Sequence, residues 1–492
     1  MASRYQRITE ERLNSLRRLR DRGIDPYPHA YHATHTIAEA RAALGQGGDT
    51  AGSMSVAGRV VGRRTMGKMA FLDLRDGSGK IQLSLRKDVL GVDGYGLLDD
   101  VDIGDFVGAE GKLFVTRSGE LSLEVSGLAV LCKSLHPLPE KWHGLADVEK
   151  RYRRRYLDLI SNESTRDVFV LRSRTVSAIR SFLDKQGFVE VETPVLQPHA
   201  GGAPARPFVT HHHALGQDLY LRIALELHLK RLVIGGFDRV YEIGRTFRNE
   251  GISVRHNPEF TLLECYQGYA DYHNMMSLVE KMLADVARQV LGTTELDWNG
   301  TTIDLSLPWH RLTLREAIES YSGVDFEDFP DTGSLRSRML DMGLEVEPGK
   351  ERGRLIDELL STFVEPRLIQ PTFLMDYPVE MSPLAKRKRG NDRLTERFEG
   401  FVGGMEVANA FSELNDPLEQ RERFRQQSGS GVGDDEADIA DEDFLEAMEY
   451  GMPPTGGLGM GVDRMVMLLA GQQSIREVIL FPALKTKTGP ED

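Results

Sequence analysis

Apolar and polar residues alternate from Val240 to Asn249 and again from Glu259 to Tyr266, with Gly251, Asn257 and Pro258 interrupting between them. The pattern predicts two strands joined by a loop. Side chains two apart on a strand share a face, so positions 242, 244, 246, 248 and 250 point one way and carry Arg248 and Glu250 together. Phe260, Leu262, Glu264 and Tyr266 share a face of the return strand. A guanidinium, two carboxylates, an aromatic ring and a phenol then converge on one surface. Such a face is costly to bury unpaired and suits a polar ligand better than an ordinary core.

The remaining pattern divides the chain. A stripe of Leu13, Leu16 and Leu19 among arginines predicts a short helix over 9–22, and 36–46 predicts another before the Gly-rich GQGGDTAG. From Met54 to Lys133 the spacing changes to about five short strands, punctuated by turn signals such as Asp76-Gly77 and Ser118-Gly119. That is the signature of a small barrel, with the OB-fold the natural candidate. His136-Pro137-Leu138-Pro139 breaks the pattern, and the basic run KRYRRRYLDL (150–159) reads as an interdomain hinge that either meets phosphates or faces water. An amphipathic helix over 167–186 follows, then a strand that stops at Pro194 and a helix carrying Glu226. The expected organisation is a helical extension (1–50), a barrel (51–135), a linker (136–165) and a larger α+β domain (166–492).

Several stretches carry candidate chemistry. On the barrel, Phe71 and Gln82 with Arg63, Arg64 and Lys68 could stack and hydrogen-bond single-stranded nucleic acid; Phe71 alone reads more often as core, and the cluster brings the two readings level. Gly201-Gly202 permits either close backbone approach to a ligand or a plain turn. In FEGFVGGMEVANAFSELND, Asn409, Phe411 and Glu413 share one strand face. Glu399 and Glu406 would face opposite ways on a straight strand, and a bulge at Gly403-Gly404 would bring them together. Two carboxylates so placed suit Mg²⁺ shared with substrate phosphates, whereas isolated glutamates ordinarily face solvent. Gly457, Gly459 and Gly461 alternate along a strand and leave one face bare for a flat ligand. Arg464 follows in the first turn of a helix, where side chain and helix terminus act together on an anion. The spacing matches neither a Rossmann nor a Walker loop. The polar, acidic stretch QQSGSGVGDDEADIADED carries no evident chemistry.

Composition narrows the class. At 492 residues and 40% hydrophobic content, two or three globular domains are expected. A net charge of -14 argues against nonspecific coating of nucleic acid but allows a selective RNA contact through a local basic patch. With only Cys132 and Cys265, neither a disulfide scaffold nor a thiolate metal site is expected, and any metal would sit on oxygens. MASRYQRITEERLNSLRRLR has no apolar signal region and no run approaches the roughly 18 apolar residues of a membrane span, so a soluble cytoplasmic protein with no membrane contact is expected.

Together, GFVEVETPVLQPHAGGAPARPF, FRNEGISVRHNPEFTLLECYQGYADY and GLGMGVDRMVMLL resemble motifs 1, 2 and 3 of the class II aminoacyl-tRNA synthetases, in that order. AGGAPARPF, RHNPEF, ANAFSELNDP and the barrel stretch MGKMAFLDLRDGSGKIQL are similar to the lysine-specific branch rather than its aspartate and asparagine relatives. The resemblance implies an OB-fold anticodon-binding domain and a catalytic domain on an antiparallel sheet flanked by helices. It implies activation of L-lysine by ATP with Mg²⁺, transfer to tRNA(Lys), and a homodimer formed through motif 1. Arg248 would clamp the α-phosphate and the lysine carboxylate, and Arg464 the γ-phosphate. Phe260 would stack on adenine against Gly459, with Glu250 near its amino group and His256 near the phosphates. Glu399 and Glu406 would hold the metal. Glu413 and Tyr266 would meet the side-chain ammonium, Phe411 the stem, and Gly202, Glu226, Glu264 and Asn409 the α-amino and carboxylate end. Phe71, Gln82 and Arg63 would read the anticodon. Leu225 and His228 depart from the proline and tyrosine that the family often carries beside this glutamate. Rival implications are an aspartyl- or asparaginyl-type enzyme, a noncatalytic paralogue, or one that lysylates protein.

Overall fold

The computed structural model describes residues 4–43, 52–139, 145, 147–199, 201–202, 205–429 and 441–486. Positions 45–51 of the Gly-rich segment, Pro204 and positions 430–440 of the acidic stretch lie outside the described residues. The chain divides into two units, Met1–Ala146 and Asp147–Asp492.

In the first unit, helix α1 (Arg4–Asp21) precedes five strands: β1 (Met54–Met66), β2 (Met69–Arg75), β3 (Lys80–Arg86), β4 (Phe106–Val115) and β5 (Leu121–Cys132). They close into a barrel of order β1-β2-β3-β5-β4, the expected OB-fold. Period-2 positions supply the interior: Val56, Leu72, Leu74, Ile81, Leu83, Val107, Leu123 and Val125 are all buried. Leu16 and Leu19 of α1 are buried too. The helix is tied down by Arg12, which donates to Ile103 O at 2.7 Å and His136 O at 2.6 Å, and by Arg18, 2.7 Å from Asp100. Two of its arginines, Arg12 and Arg18, therefore serve the fold.

The second unit is built on eight strands: β6 (Val189–Glu190), β7 (Arg239–Phe247), β8 (Glu259–Gly268), β9 (His310–Thr313), β10 (Thr372–Met375), β11 (Arg397–Val402), β12 (Met405–Ser412) and β13 (Thr455–Gly461). Their order is β9-β10-β11-β12-β13-β8-β7-β6, antiparallel except for the edge pairs β6–β7 and β9–β10. The helices used below are α2 (Glu163–Lys185), α3 (Glu226–Ile234), α4 (Tyr272–Leu291) and α5 (Val462–Leu469). Ile179, Phe182 and Leu183 of α2 and Met275, Met282 and Val286 of α4 share one core with Leu263, Cys265, Phe398, Ala410, Leu458 and Met460 of the sheet. Alternation sends the intervening residues to the other face, where Glu242, Glu264 and Tyr266 are nevertheless buried. A sheet with an apolar face and a buried polar face is organised around something other than packing.

Three expectations are corrected. Strand β7 stops at Phe247: Arg248 N–H still donates to Pro258 O at 2.9 Å, but Glu250 N–H turns back to Arg248 O at 2.8 Å. Glu250 thus leaves the strand period and is exposed. Gly403 and Gly404, with φ of 62° and 71°, form the tight turn between β11 and β12 rather than a bulge. The irregularity lies between Gly400 and Phe401, which pair with Ala408 and Glu406 and leave Val407 as the extra residue. The basic run 150–159 is not a solvated hinge. It lies in two short helices, Val148–Arg153 and Arg155–Ser161, with Arg151 2.9 Å from Glu477 and the fully buried Arg155 donating to Leu480 O at 3.0 Å.

Candidate active site

The centre of the polar face is the glycine strand β13. Its register sets Glu264 and Asn409 on either side of Gly459, and Tyr266 and Phe411 on either side of Gly457. Cross-strand partners share a face, so these side chains converge. The bare face is only partly bare. A Cβ on Gly457 would lie 1.8 Å from Glu413 Oε1 and 2.6 Å from Tyr266 Cε1, whereas at Gly459 nothing comes nearer than Asn409 O at 3.8 Å. Room for a ligand therefore begins at Gly459.

Helix α3 closes this end. Glu226 is its first residue and is buried, not on a solvated helix face. Lys230, one turn on, is fully buried with Nζ 2.5 Å from Glu226 Oε1 and 2.5 Å from Glu413 Oε2. The Phe411 ring centroid is 5.5 Å from the same ammonium, within cation–π reach. Glu264 accepts from Leu225 N–H and Tyr266 O–H, each at 3.0 Å. Burial, then the Glu226 charge, push Glu264 up to about 7. Glu413 is driven well above the carboxylate range by burial, with Lys230 opposing and Glu226 and Glu264 adding. Neither of its oxygens makes a hydrogen bond within the described residues, although Oε2 is ion-paired with Lys230. Two of the three buried carboxylates thus share one ammonium, while Glu264 has no ion-pair partner among the described residues and meets only the more distant positive charge of Arg248, so the pocket is short of positive charge. Gly202 has φ +89° and would bring a Cβ to 3.1 Å from Ala224 Cβ and 3.5 Å from Glu226 Cβ, so it is both a turn and a close approach.

At the other end, the Arg248 guanidinium lies 5.3 Å from the Phe260 ring centroid. Arg464, in the first turn of α5, donates to Glu406 O at 2.9 Å, pairs with Glu406 Oε2 at 3.2 Å, and meets His256 Nε2 at 3.3 Å. Burial and the Arg464 charge lower the His256 pKa, favouring the neutral ring. Glu399 is held by Arg397 at 2.5 Å and by Tyr377 O–H at 2.9 Å. Burial pushes Glu399 up to about 7, with Glu406 adding and Arg397 opposing; burial also raises Glu365 and Asp357. Among the described residues no group of three or more ligating side chains forms a ready-made metal cage. Two carboxylates with spare lone pairs in an acid-rich corner do fit Mg²⁺, which takes one or two carboxylates and completes its shell with phosphates and water.

The structure brings Arg248, Phe260, His256 and Arg464 to one end and Gly202, Glu226, Glu264, Tyr266, Phe411 and Glu413 to the other, with Gly459 and Asn409 between. Three participants were missed. Lys230 stands four residues after Glu226, the spacing of helical neighbours. Arg397, two before Glu399, also donates to Asn409 Oδ1 at 3.2 Å. Arg222 pairs with Glu242 at 2.6 Å and fills the space over Gly244, so Glu242 serves the fold instead of a ligand. The first two were legible as spacing; Arg222 had no local signal.

On the barrel, Phe71 is half-buried and pairs with Arg64 across the strands, while Gln82 pairs with Asp73 and accepts from Ser122 Oγ at 2.9 Å. Arg63 does not join them: it pairs with the buried Leu72 and donates to Val101 O at 2.6 Å. Arg64, ion-paired with Asp73 at 3.5 Å, is the arginine on the Phe71 face.

Residues 147–485 match the family described as tRNA synthetases class II (D, K and N), and residues 54–131 match the OB-fold nucleic acid binding domain. The chain is 56% identical over 486 residues to a lysine–tRNA ligase of Dehalococcoides mccartyi, covering 98% of each. It is 56% identical over 481 residues to that of Moorella thermoacetica, covering 97% of each. For the Chloroflexus aurantiacus lysine–tRNA ligase the identity is 52% over 484 residues, covering 98% of this chain and 99% of the relative.

Proposed function

The chain belongs to the class II tRNA synthetases of the D, K and N group, and from that membership we propose that it activates L-lysine with ATP and transfers it to the 3′ end of tRNA(Lys). The observation that carries the amino-acid assignment is the charge of the pocket. Glu226, Glu264 and Glu413 are buried with a single ammonium among them, and L-lysine arrives with two. A neutral side chain would leave Glu413 Oε1 buried and unpaired, and an acidic one would add a fourth negative group, so leucine, methionine and aspartate are rejected.

The lysine carboxylate attacks the α-phosphorus in line and pyrophosphate leaves; positioning and charge neutralisation carry the step. Arg248, beside Phe260, holds the α-phosphate and lysine carboxylate, a task for a planar bidentate fork. Phe260 stacks on adenine over the open face at Gly459, with Glu250 at the amino group and neutral His256 beside Arg464 at the phosphates. Glu399 and Glu406 are the residues that would hold Mg²⁺, which offsets triphosphate charge. Tyr266 and Glu413 receive the side-chain ammonium, Phe411 the stem, and Gly202, Glu226, Glu264 and Asn409 the α-amino end.

Residues 51–135 serve as the anticodon domain, with Phe71 stacking a base and Gln82 hydrogen-bonding one; the catalytic domain takes in the second unit from Asp147, including the helices of the basic run expected to be a linker. Dimerisation through motif 1 is supported by Val189, Val195 and Leu196, which are 48%, 37% and 46% exposed. No helix among the described residues is long and apolar enough to cross a membrane, and two unpaired cysteines fit a reducing cytoplasm.

ATP–pyrophosphate exchange with each amino acid, followed by tRNA charging, tests the reading. Exchange driven by L-lysine is expected; exchange with another amino acid and none with lysine defeats it.

A further inference from the structure

Lys230 places a lysine ammonium inside the pocket proposed for lysine. Two occupancies are conceivable. The side chain is a tenant that leaves when substrate arrives, or it is a fixed part of the wall.

Geometry favours the wall. Nζ is fully buried and bridges carboxylates from two separate elements, 2.5 Å from Glu226 Oε1 at the start of α3 and 2.5 Å from Glu413 Oε2 just beyond β12. The rings of Phe411 and Phe444, with centroids at 5.5 Å and 5.9 Å, flank the ammonium. Breaking a buried pair leaves uncompensated charge on both sides, so departure is costly. Neither oxygen of Glu413 makes a hydrogen bond within the described residues, but their surroundings differ: Oε2 is ion-paired with Lys230 at 2.5 Å, while Oε1 lies over Gly457, 1.8 Å from where a Cβ would be. The bare α-carbon of Gly457 makes room for that oxygen.

We propose that Lys230 is a permanent positioning residue of the amino-acid pocket, pinning Glu413 through Oε2 so that Oε1 is the oxygen presented to the substrate's side-chain ammonium. This rests on the lysine reading above. Lys230 is therefore a specificity residue that acts through Glu413 without touching the reacting atoms.

The test compares wild type, Lys230→Met, Glu413→Gln and the double variant by pyrophosphate exchange. Lys230→Met is expected to raise the KM for L-lysine at least about tenfold while the KM for ATP stays within about twofold. Added to Glu413→Gln, it should change the lysine KM by less than about twofold, because both substitutions remove the same oriented oxygen. An unchanged or lowered lysine KM in Lys230→Met, or a full tenfold loss multiplied onto Glu413→Gln, overturns the proposal. Should Lys230→Met fail to fold, a crystal structure of wild type with L-lysine decides. Lys230 Nζ still on Glu413 Oε2 with the substrate ammonium on Oε1 upholds it, and Lys230 swung away overturns it. Wild type that shows no exchange with L-lysine would overturn the lysine reading itself, a failure distinguishable from normal wild-type exchange with an unaffected Lys230→Met.

Discussion

Burial and then the Glu226 charge push Glu264 up to about 7, while the Leu225 N–H, Tyr266 O–H and Arg248 oppose the shift. Its folded pKa exceeds that of an unfolded glutamate, so the fold disfavours the ionised form. The stability this group contributes is full below the unfolded value of 4.5 and is lost as pH rises through about 7. Ligand-free Glu264→Gln should therefore gain on wild type in urea midpoint between about pH 5 and about pH 8, on the order of 3 kcal/mol, with no gain confined to lower pH. Cationic substrate reverses the preference. L-lysine binding near pH 7 should release protons from Glu264 and from Glu413, whose pKa values burial raises, read by titration calorimetry in two buffers of different ionisation enthalpy; proton uptake would refute the charge-deficient pocket. Leu225 bears on the same group. A proline there has no N–H, so Leu225→Pro should raise the Glu264 pKa further and move the lysine-binding pH profile upward.

At the level of elements, strand β13 sets the shape of the site by what it lacks. Gly457→Ala would force Glu413 Oε1 and Tyr266 aside, so the lysine KM should rise about tenfold or more with a smaller change for ATP. Gly403, at φ +62° and with Trp298 Nε1 2.8 Å from a Cβ, is instead a turn residue. Gly403→Ala should cost roughly 1–3 kcal/mol in stability and shift the β11–β12 hairpin that carries Glu399 and Glu406. The strand faces and the glycine stripe were legible because a period of two is written directly into residue order. The turn and the bulge were interchanged because both are marked by glycine, and only the partner strand shows which residue is extra. Glu250 left its face because one N–H turned back on Arg248. Lys230 was legible as an i,i+4 pair but meaningless until β12 brought Glu413 to it, a contact 183 residues away in sequence.

At the scale of the molecule, the two units divide chemistry from recognition. The chain carries a net charge of -14, so on the proposed reading tRNA is received through local basic and aromatic groups such as Phe71 and Arg64 rather than through the overall field. Phosphate contacts respond to salt through counterion release, whereas a small-molecule step inside a buried pocket does so far less. Raising salt should therefore increase the tRNA KM in charging while leaving lysine-dependent pyrophosphate exchange nearly constant. Phe71→Ala separates the units more sharply. A stacked base is worth roughly 1–3 kcal/mol, so the tRNA KM should rise about 5- to 150-fold while exchange stays within about twofold of wild type. On the proposed reading the aromatic ring matters at this position and Arg63 does not: Phe71→Tyr should retain charging, and Arg63→Ala, whose guanidinium donates to Val101 O and pairs away from Phe71, should affect barrel stability more than tRNA affinity. Equal losses in exchange and charging for Phe71→Ala would mean that the ring supports the fold of the whole chain instead of a base.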